Sequence, residues 1–279
     1  MGRAWIDAIG SDDDVELAAV VDLDLALAEQ AAAQSGQAGV VAARDLATAA
    51  SAGLDAVINV TVPGAHHAVN SQAVFLGLPV LCEKPITSTV AEAMSVAAAS
   101  ESTGLLVMAS QSRRYGPEIA DFRRRLSGLG GVGTLTTEFF LGPHFGGFRE
   151  EMPHVLLVDM AIHAFDAARY LIDDDPVAVY CHESNPPWSW YRGAASATAV
   201  FEMRSGAVYT YTGSWVSVGF RTSWNGRWRA SGRLGSAMWD GDSEAVVEGE
   251  PERSELPPSQ TEDSVLPGIR GALAEFHTA

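Results

Sequence analysis

The feature that most constrains this chain is the rhythm of residues 1–112, where short apolar runs alternate with helical ones. Strand-like runs fall at 15–21, 55–60, 80–82 and 105–109, with a shorter one at 40–41. Between them lie helical patterns at 4–9, 25–35, 43–52, 66–76 and 88–103. Gly36 marks one helix stop, and Ser88 or Thr89 with Glu92 makes a capping box at another start. Strands spaced by helices of this length fold as βαβ units around a parallel sheet.

The stretch Pro79-Val80-Leu81-Cys82-Glu83-Lys84-Pro85 is the focus of that half. Val80 to Cys82 leave no room for a solvated face, as in a buried parallel strand. The charged pair Glu83-Lys84 falls where the strand runs out, and ligands of open α/β sheets bind at that end. Lys84 is therefore placed to meet a substrate, or it is the solvated residue of an ordinary strand-to-helix turn.

From residue 113 the pattern changes. An amphipathic helix at 117–126 and a glycine-rich link at 128–133 lead to an alternating strand at 134–140. Residues 155–172 read as one long helix. Strand-like runs follow at 177–183, 195–202, 207–218, 227–230 and 236–239, and an acidic, proline-bearing loop at 248–262. This predicts a mostly antiparallel open sheet with helices on one side, an α+β domain. The expected division is 1–112 and 113–279. On the long helix Asp159, His163 and Asp166 follow at spacings of four and three, which share one face. A histidine beside a carboxylate is a natural proton relay. The same residues also suit a surface salt link or half of a metal site.

Composition narrows the function classes. The formal net charge of −17 argues against nucleic acid and anionic membrane, which need basic surface. Two cysteines, Cys82 and Cys181, indicate a reducing compartment rather than a disulfide framework. No apolar run reaches membrane-spanning length, so a cytoplasmic location is expected.

A dinucleotide-binding fold opens with a strand and a G-x-G-x-x-G turn, with an acidic residue about twenty positions on. Asp22 ends a strand and supplies the acidic residue, and Gly2 stands where the last glycine would. The opening strand and turn are not in the sequence. We expect roughly a dozen residues to be missing ahead of Met1, one strand plus its turn, leaving a gap in the middle of the sheet.

Taken in order, Val20-Val21-Asp22, Asp55-Ala-Val-Ile, the turn from Pro63 to His67, Cys82-Glu-Lys-Pro85, Arg114-Tyr115-x-Pro117 and Leu157-x-Asp159-x-x-x-His163-x-x-Asp166 resemble the glucose–fructose oxidoreductase/inositol dehydrogenase (Gfo/Idh/MocA) family from Gly2 to about residue 240. The resemblance implies a Rossmann-like doubly wound parallel sheet, here without its first strand, followed by an α+β domain whose open sheet makes dimer or tetramer contacts. It implies hydride transfer between a nicotinamide and a hydroxyl-bearing carbon of a sugar, cyclitol or related polyol. It also implies a cis Lys84–Pro85 bond, with Lys84, Asp159 and His163 catalytic and His163 the general acid/base. Gly2, Arg3, Asp22, Thr61, Pro63, His67, Glu83, Lys84 and Arg114 would bind the cofactor, with a buried structural histidine the competing reading of His67. Leu23 after Asp22, where NADP-dependent relatives often place Arg or Ser, favours NAD over NADP. Met152-Pro153-His154 departs from the family's small glycine-rich approach to the helix, and the chain ends where relatives add another helix.

Other readings compete. Relatives that hold NAD tightly cleave glycosidic bonds by transient oxidation, and a truncated paralogue would bind a partner or be inert. A metal hydrolase would use His163, Asp159, His66 and His67, which lack metal-binding spacing. The aromatics Trp188, Trp190, Tyr191, Trp215, Trp224, Trp228 and Trp239 stack on a sugar or pack the sheet. Arg113 and Arg114 open a local basic stretch, and Arg123 to Arg125 read as a solvated helix face.

Overall fold

The computed structural model describes residues 1–250 and 266–279. Of the loop expected at 248–262, residues from 251 lie outside the described ones. The chain forms two compact units, Met1–Ser112 with Ile269–Ala279, and Arg113–Gly268.

The first unit alternates as the sequence predicts, with α1 (Gly2–Ile9), β1 (Ala19–Val21), α2 (Leu25–Gln34), β2 (Val41–Ala43), α3 (Leu46–Ala50), β3 (Val57–Asn59), α4 (Pro63–Phe75), β4 (Val80–Glu83), α5 (Val90–Thr103) and β5 (Val107–Ser110). Short polar residues set the helix starts. Asp24 accepts from the Ala26 N–H, Asp45 accepts from the Thr48 N–H, and Thr89 with Glu92 closes the capping box. Gly104, at φ 71°, ends α5 in the left-handed conformation that glycine adopts freely. Pro63 occupies the first position of α4, so that helix starts three residues earlier than its apolar pattern suggests.

All pairings in this unit are parallel, but they form two sheets, β1-β2 and β3-β4-β5. Among the described residues β1 pairs only with β2 and β3 only with β4, so each has one edge without a ladder there. β4 is buried along its whole length, and Val80 and Cys82 pack with Leu46, Ala73, Val74 and Leu78. The last helix, α9 (Ile269–Thr278), packs against α1 and β5. Residues 269–279 thus belong with the first unit, whereas the sequence pattern grouped them with the second. The helix follows an apolar stripe that needs a partner, and local pattern does not name which one.

The second unit holds α6 (Pro117–Ser127), β6 (Val132–Phe140), α7 (Phe148–Glu151), α8 (Ile162–Ile172), β7 (Pro176–Ser184), β8 (Ser196–Met203), β9 (Val208–Ser214), β10 (Arg227–Gly232), β11 (Gly235–Trp239) and β12 (Val246–Gly249). Its seven-stranded sheet runs β12-β11-β10-β6-β9-β8-β7, antiparallel throughout except for the central β6–β9 pair. Leu135, Tyr209, Tyr211 and Trp228 on one sheet face join Phe122 and Leu126 of α6 and Ala167, Ala168 and Leu171 of α8 in one core. The helix expected over 155–172 is in two parts. Leu156–Ala161 is a π-helical segment, and α8 continues from Ile162 until Asp173, at φ 52°. A π segment widens the turn and is found often at functional sites. Every residue in 156–161 suits an α-helix, so periodicity could not disclose the break.

Candidate active site

In the first unit the site is built at the carboxyl ends of β3 and β4. The Lys84–Pro85 peptide is cis, as the resemblance implied. Glu83 turns inward; its carboxylate accepts from the Trp5 indole at 2.8 Å and from the Lys84 N–H at 3.3 Å. That anchors α1 to the end of β4.

A buried polar network ties the two loops together. His66 on α4 is 1% exposed, with Nδ1 at 2.6 Å from the Pro85 carbonyl and Nε2 at 2.9 Å from the Thr61 carbonyl. One turn on, the Asn70 amide donates to the Ile86 carbonyl at 3.1 Å and accepts from Asn59 at 2.8 Å. Asn59 in turn accepts from the Thr61 hydroxyl at 2.7 Å. The sequence reading favoured His67 at the cofactor. The side chain that clamps both loops is His66, while His67 Nε2 is buried without a partner. The spacing of His66 and Asn70 on one face of α4 was the available signal. With both ring nitrogens against carbonyls, His66 is poorly suited to hold a metal. Among the described residues no cluster of three metal-ligating side chains occurs.

The other cofactor candidates stand as follows. Helix α1 begins without a side-chain cap, so its first N–H groups are open to an anion such as a pyrophosphate. A Cβ at Gly2 would meet only Val60, at 3.8 Å, so a ligand can approach the backbone there. Arg3 donates to Gln34 at 3.0 Å. Asp22 is exposed at the end of β1, accepts from the Asp24 N–H at 2.9 Å, and is followed by an exposed Leu23. Pro63 accepts at its carbonyl from Ser88 at 3.1 Å, and Thr61 lies exposed beside it. An open helix N-terminus and an exposed acidic strand end suit a dinucleotide.

In the second unit the catalytic candidates are buried, Asp159 to 7% exposure and His163 to 8%. Asp159 lies in the π segment and His163 in the first turn of α8. Asp159 accepts from Arg149 Nε at 2.7 Å, a partner that sequence reasoning missed because α7 is too short to show a period. Arg149 lies over Phe148 at 4.8 Å and over Phe145 at 5.3 Å from the ring centroids. Arg114 grips Asp166 with two donors, Nε at 2.9 Å, which ties down the middle of α8. Of the aromatics, Trp215, Trp228, Trp239 and Tyr191 are core residues, whereas Trp188 and Trp224 are exposed. Burial pushes the Tyr191 hydroxyl up to about 12. The basic stretch 123–125 is not simply solvated, since Arg124 and Arg125 both bind Asp121.

The family model described as "Oxidoreductase family, NAD-binding Rossmann fold" matches residues 1–111, and that of the "GFO/IDH/MocA C-terminal domain" matches 139–238. An uncharacterized protein of Sinorhizobium fredii is 26% identical over 262 residues, 86% of this chain and 70% of that one. Inositol 2-dehydrogenase 1 of Saccharopolyspora erythraea is 30% identical over 167 residues, 60% of this chain and 49% of that one. The match to that dehydrogenase thus spans about half of its length. An Agrobacterium radiobacter oxidoreductase, solved with NAD+, L-tartaric acid and magnesium, superposes with a TM-score of 0.79 at 18% identity, covering 94% of this chain and 81% of that one. The likeness in fold agrees with the element order and with the mixed seven-stranded sheet described above. With both halves matched in order, the chain belongs to the Gfo/Idh/MocA family of NAD-binding oxidoreductases.

Proposed function

We propose that this chain is an NAD-dependent dehydrogenase acting on a hydroxyl-bearing carbon of a sugar, cyclitol or related polyol. The observation that carries the reading is His163, buried one helical turn beyond an Asp159 that Arg149 holds in place. A buried imidazole in such a setting can take the hydroxyl proton as the carbon loses hydride. NAD, when bound, supplies the hydride acceptor. Lys84, at the end of a fully buried strand, supplies a cation for the substrate oxygen. Asp22 with the exposed Leu23 supports NAD over NADP, because no cation follows the carboxylate to meet a 2′-phosphate.

The reading extends to assembly and location. β7 is exposed over nearly its whole length and carries Val177, Val179 and Tyr180 outward, which supports a homodimer or homotetramer formed through this sheet. Both cysteines are unpaired, which supports the cytoplasm as the working compartment. The family kinship to inositol dehydrogenases favours small polyols over nucleic acid or membrane partners.

The test is nicotinamide reduction at 340 nm with a panel of polyols, sugars and cyclitols. Lys84→Ala and His163→Ala should each lower turnover about a hundredfold or more. Near-normal rates in either variant would remove that residue from the chemistry. NAD that survives purification without net reduction would instead favour glycosidic cleavage by transient oxidation, and failure to bind NAD would favour an inert paralogue.

A further inference from the structure

We infer that the substrate of this site is an acid, a polyhydroxy compound carrying a carboxylate that Arg149 receives. This inference rests on the dehydrogenase reading of Asp159 and His163 and adds the substrate's charge class.

Arg149 spends a single donor inside the protein. Its Nε serves Asp159, and among the described residues its Nη1 and Nη2 groups have no partner. The Arg149 side chain as a whole is about one-third exposed, at 32%. It is also held still, pinned at one edge by a buried carboxylate and supported by Phe145 and Phe148. A fixed planar fork with its outer donors free matches a carboxylate with two parallel hydrogen bonds. A neutral hydroxyl would use such a fork poorly.

A second guanidinium stands by the same π segment. Arg113 reaches the carbonyl of Trp224, the Asn225 amide oxygen at 3.3 Å and the Met160 sulfur at 3.7 Å. All of these partners are neutral, and burial lowers its pKa to about 10. It remains cationic at neutral pH, and a desolvated cation without a carboxylate is stabilised by a nearby anion. The ring contacts link the two arginines: Phe145, under Arg149, lies 6.1 Å from Trp224, whose carbonyl holds Arg113. Phe145, Phe148 and Trp224 are each nearly half exposed, an apolar surface of the kind that takes the face of a sugar ring.

The net charge of −17 does not oppose this. Surface charges farther than about 8 Å are screened at physiological salt, whereas a contact at hydrogen-bond distance is not. Asp159 neutralises Arg149 in formal charge, and Arg113 supplies the positive charge left over.

The test uses matched pairs that differ only in a carboxylate against a hydroxymethyl group: glucuronate and glucose, galacturonate and galactose, gluconate and glucitol. Binding is measured by calorimetry on the full chain with NAD present, for the natural protein, Arg149→Met and Arg149→Lys. At least one acid should bind roughly tenfold or more tightly than its neutral partner, the worth of one charge-assisted pair. Arg149→Met should erase most of that ratio, and Arg149→Lys should restore part of it. If no acid exceeds its neutral partner, or if Arg149→Met weakens acid and neutral equally, the inference is overturned, the second outcome meaning that Arg149 acts only through Asp159. Glucose 6-phosphate exceeding glucuronate would also overturn it, in favour of a phosphate. A separate titration of NAD by tryptophan fluorescence tests the dehydrogenase reading itself, so acid binding without NAD binding would sink that reading and leave this one standing.

Discussion

Replacing His66 by Phe isolates the clamp that joins the Thr61 and Pro85 loops. Phe keeps the ring volume, so little cavity forms, while the carbonyl that receives the ring N–H loses its donor. The contact with Pro85 is fully buried and that with Thr61 partly so. A neutral imidazole donates one N–H, and an unsatisfied buried acceptor costs about 1–3 kcal/mol. That is a large share of the ~5–15 kcal/mol that holds a domain folded. Because the chain has two units, one melting midpoint would blur the effect. Amide exchange read by fragments separates them. The exchange of α4 and of residues 86–88 should quicken by roughly 5-fold to 140-fold, at 1.4 kcal/mol per decade. Strands β6, β8 and β9 should not change. If α4 exchange stays within about threefold of the natural protein, the clamp contributes little and the argument from buried carbonyls fails.

Three further outcomes follow from packing and charge. Burial alone would raise the Asp121 pKa, but hydrogen bonds from Arg125 and Arg124 hold it below the ordinary value. Its stabilisation is therefore present above pH ~3.9 and lost as pH falls through the folded value. The urea midpoints of the natural protein and Asp121→Asn should converge on acidification, and a constant difference would refute the pairing. A Cβ on Gly193 would lie 2.2 Å from the carbonyl oxygens of Met152 and Pro153, on the approach to the π segment. Gly193→Ala should thus cost about 1–3 kcal/mol or more, a fall of several degrees in Tm, and an unchanged Tm would show that the approach yields freely. The buried Cys82 thiol is pushed up to about 12, while Cys181 is exposed. A thiol reagent at pH 8 should label Cys181 in the folded protein and Cys82 only after unfolding; labelling of both at once would contradict the packing of β4.

The sequence alone determined the alternating architecture of residues 1–112, because helix and strand periods and capping residues act over a few neighbours. The motif around Lys84, the helix bearing Asp159 and His163, and the family could be read from the same local patterns.

Only the tertiary structure decided that His66 meets the Pro85 and Thr61 carbonyls; its spacing from Asn70 marks a shared face but not what that face touches. The partner of Asp159, the π segment within a run of good helix formers, and the docking of α9 on the first unit were likewise decided there. Each depends on contacts between residues far apart in sequence. Periodicity carries the direction in which a side chain points from its own element, but not the identity of what it will meet.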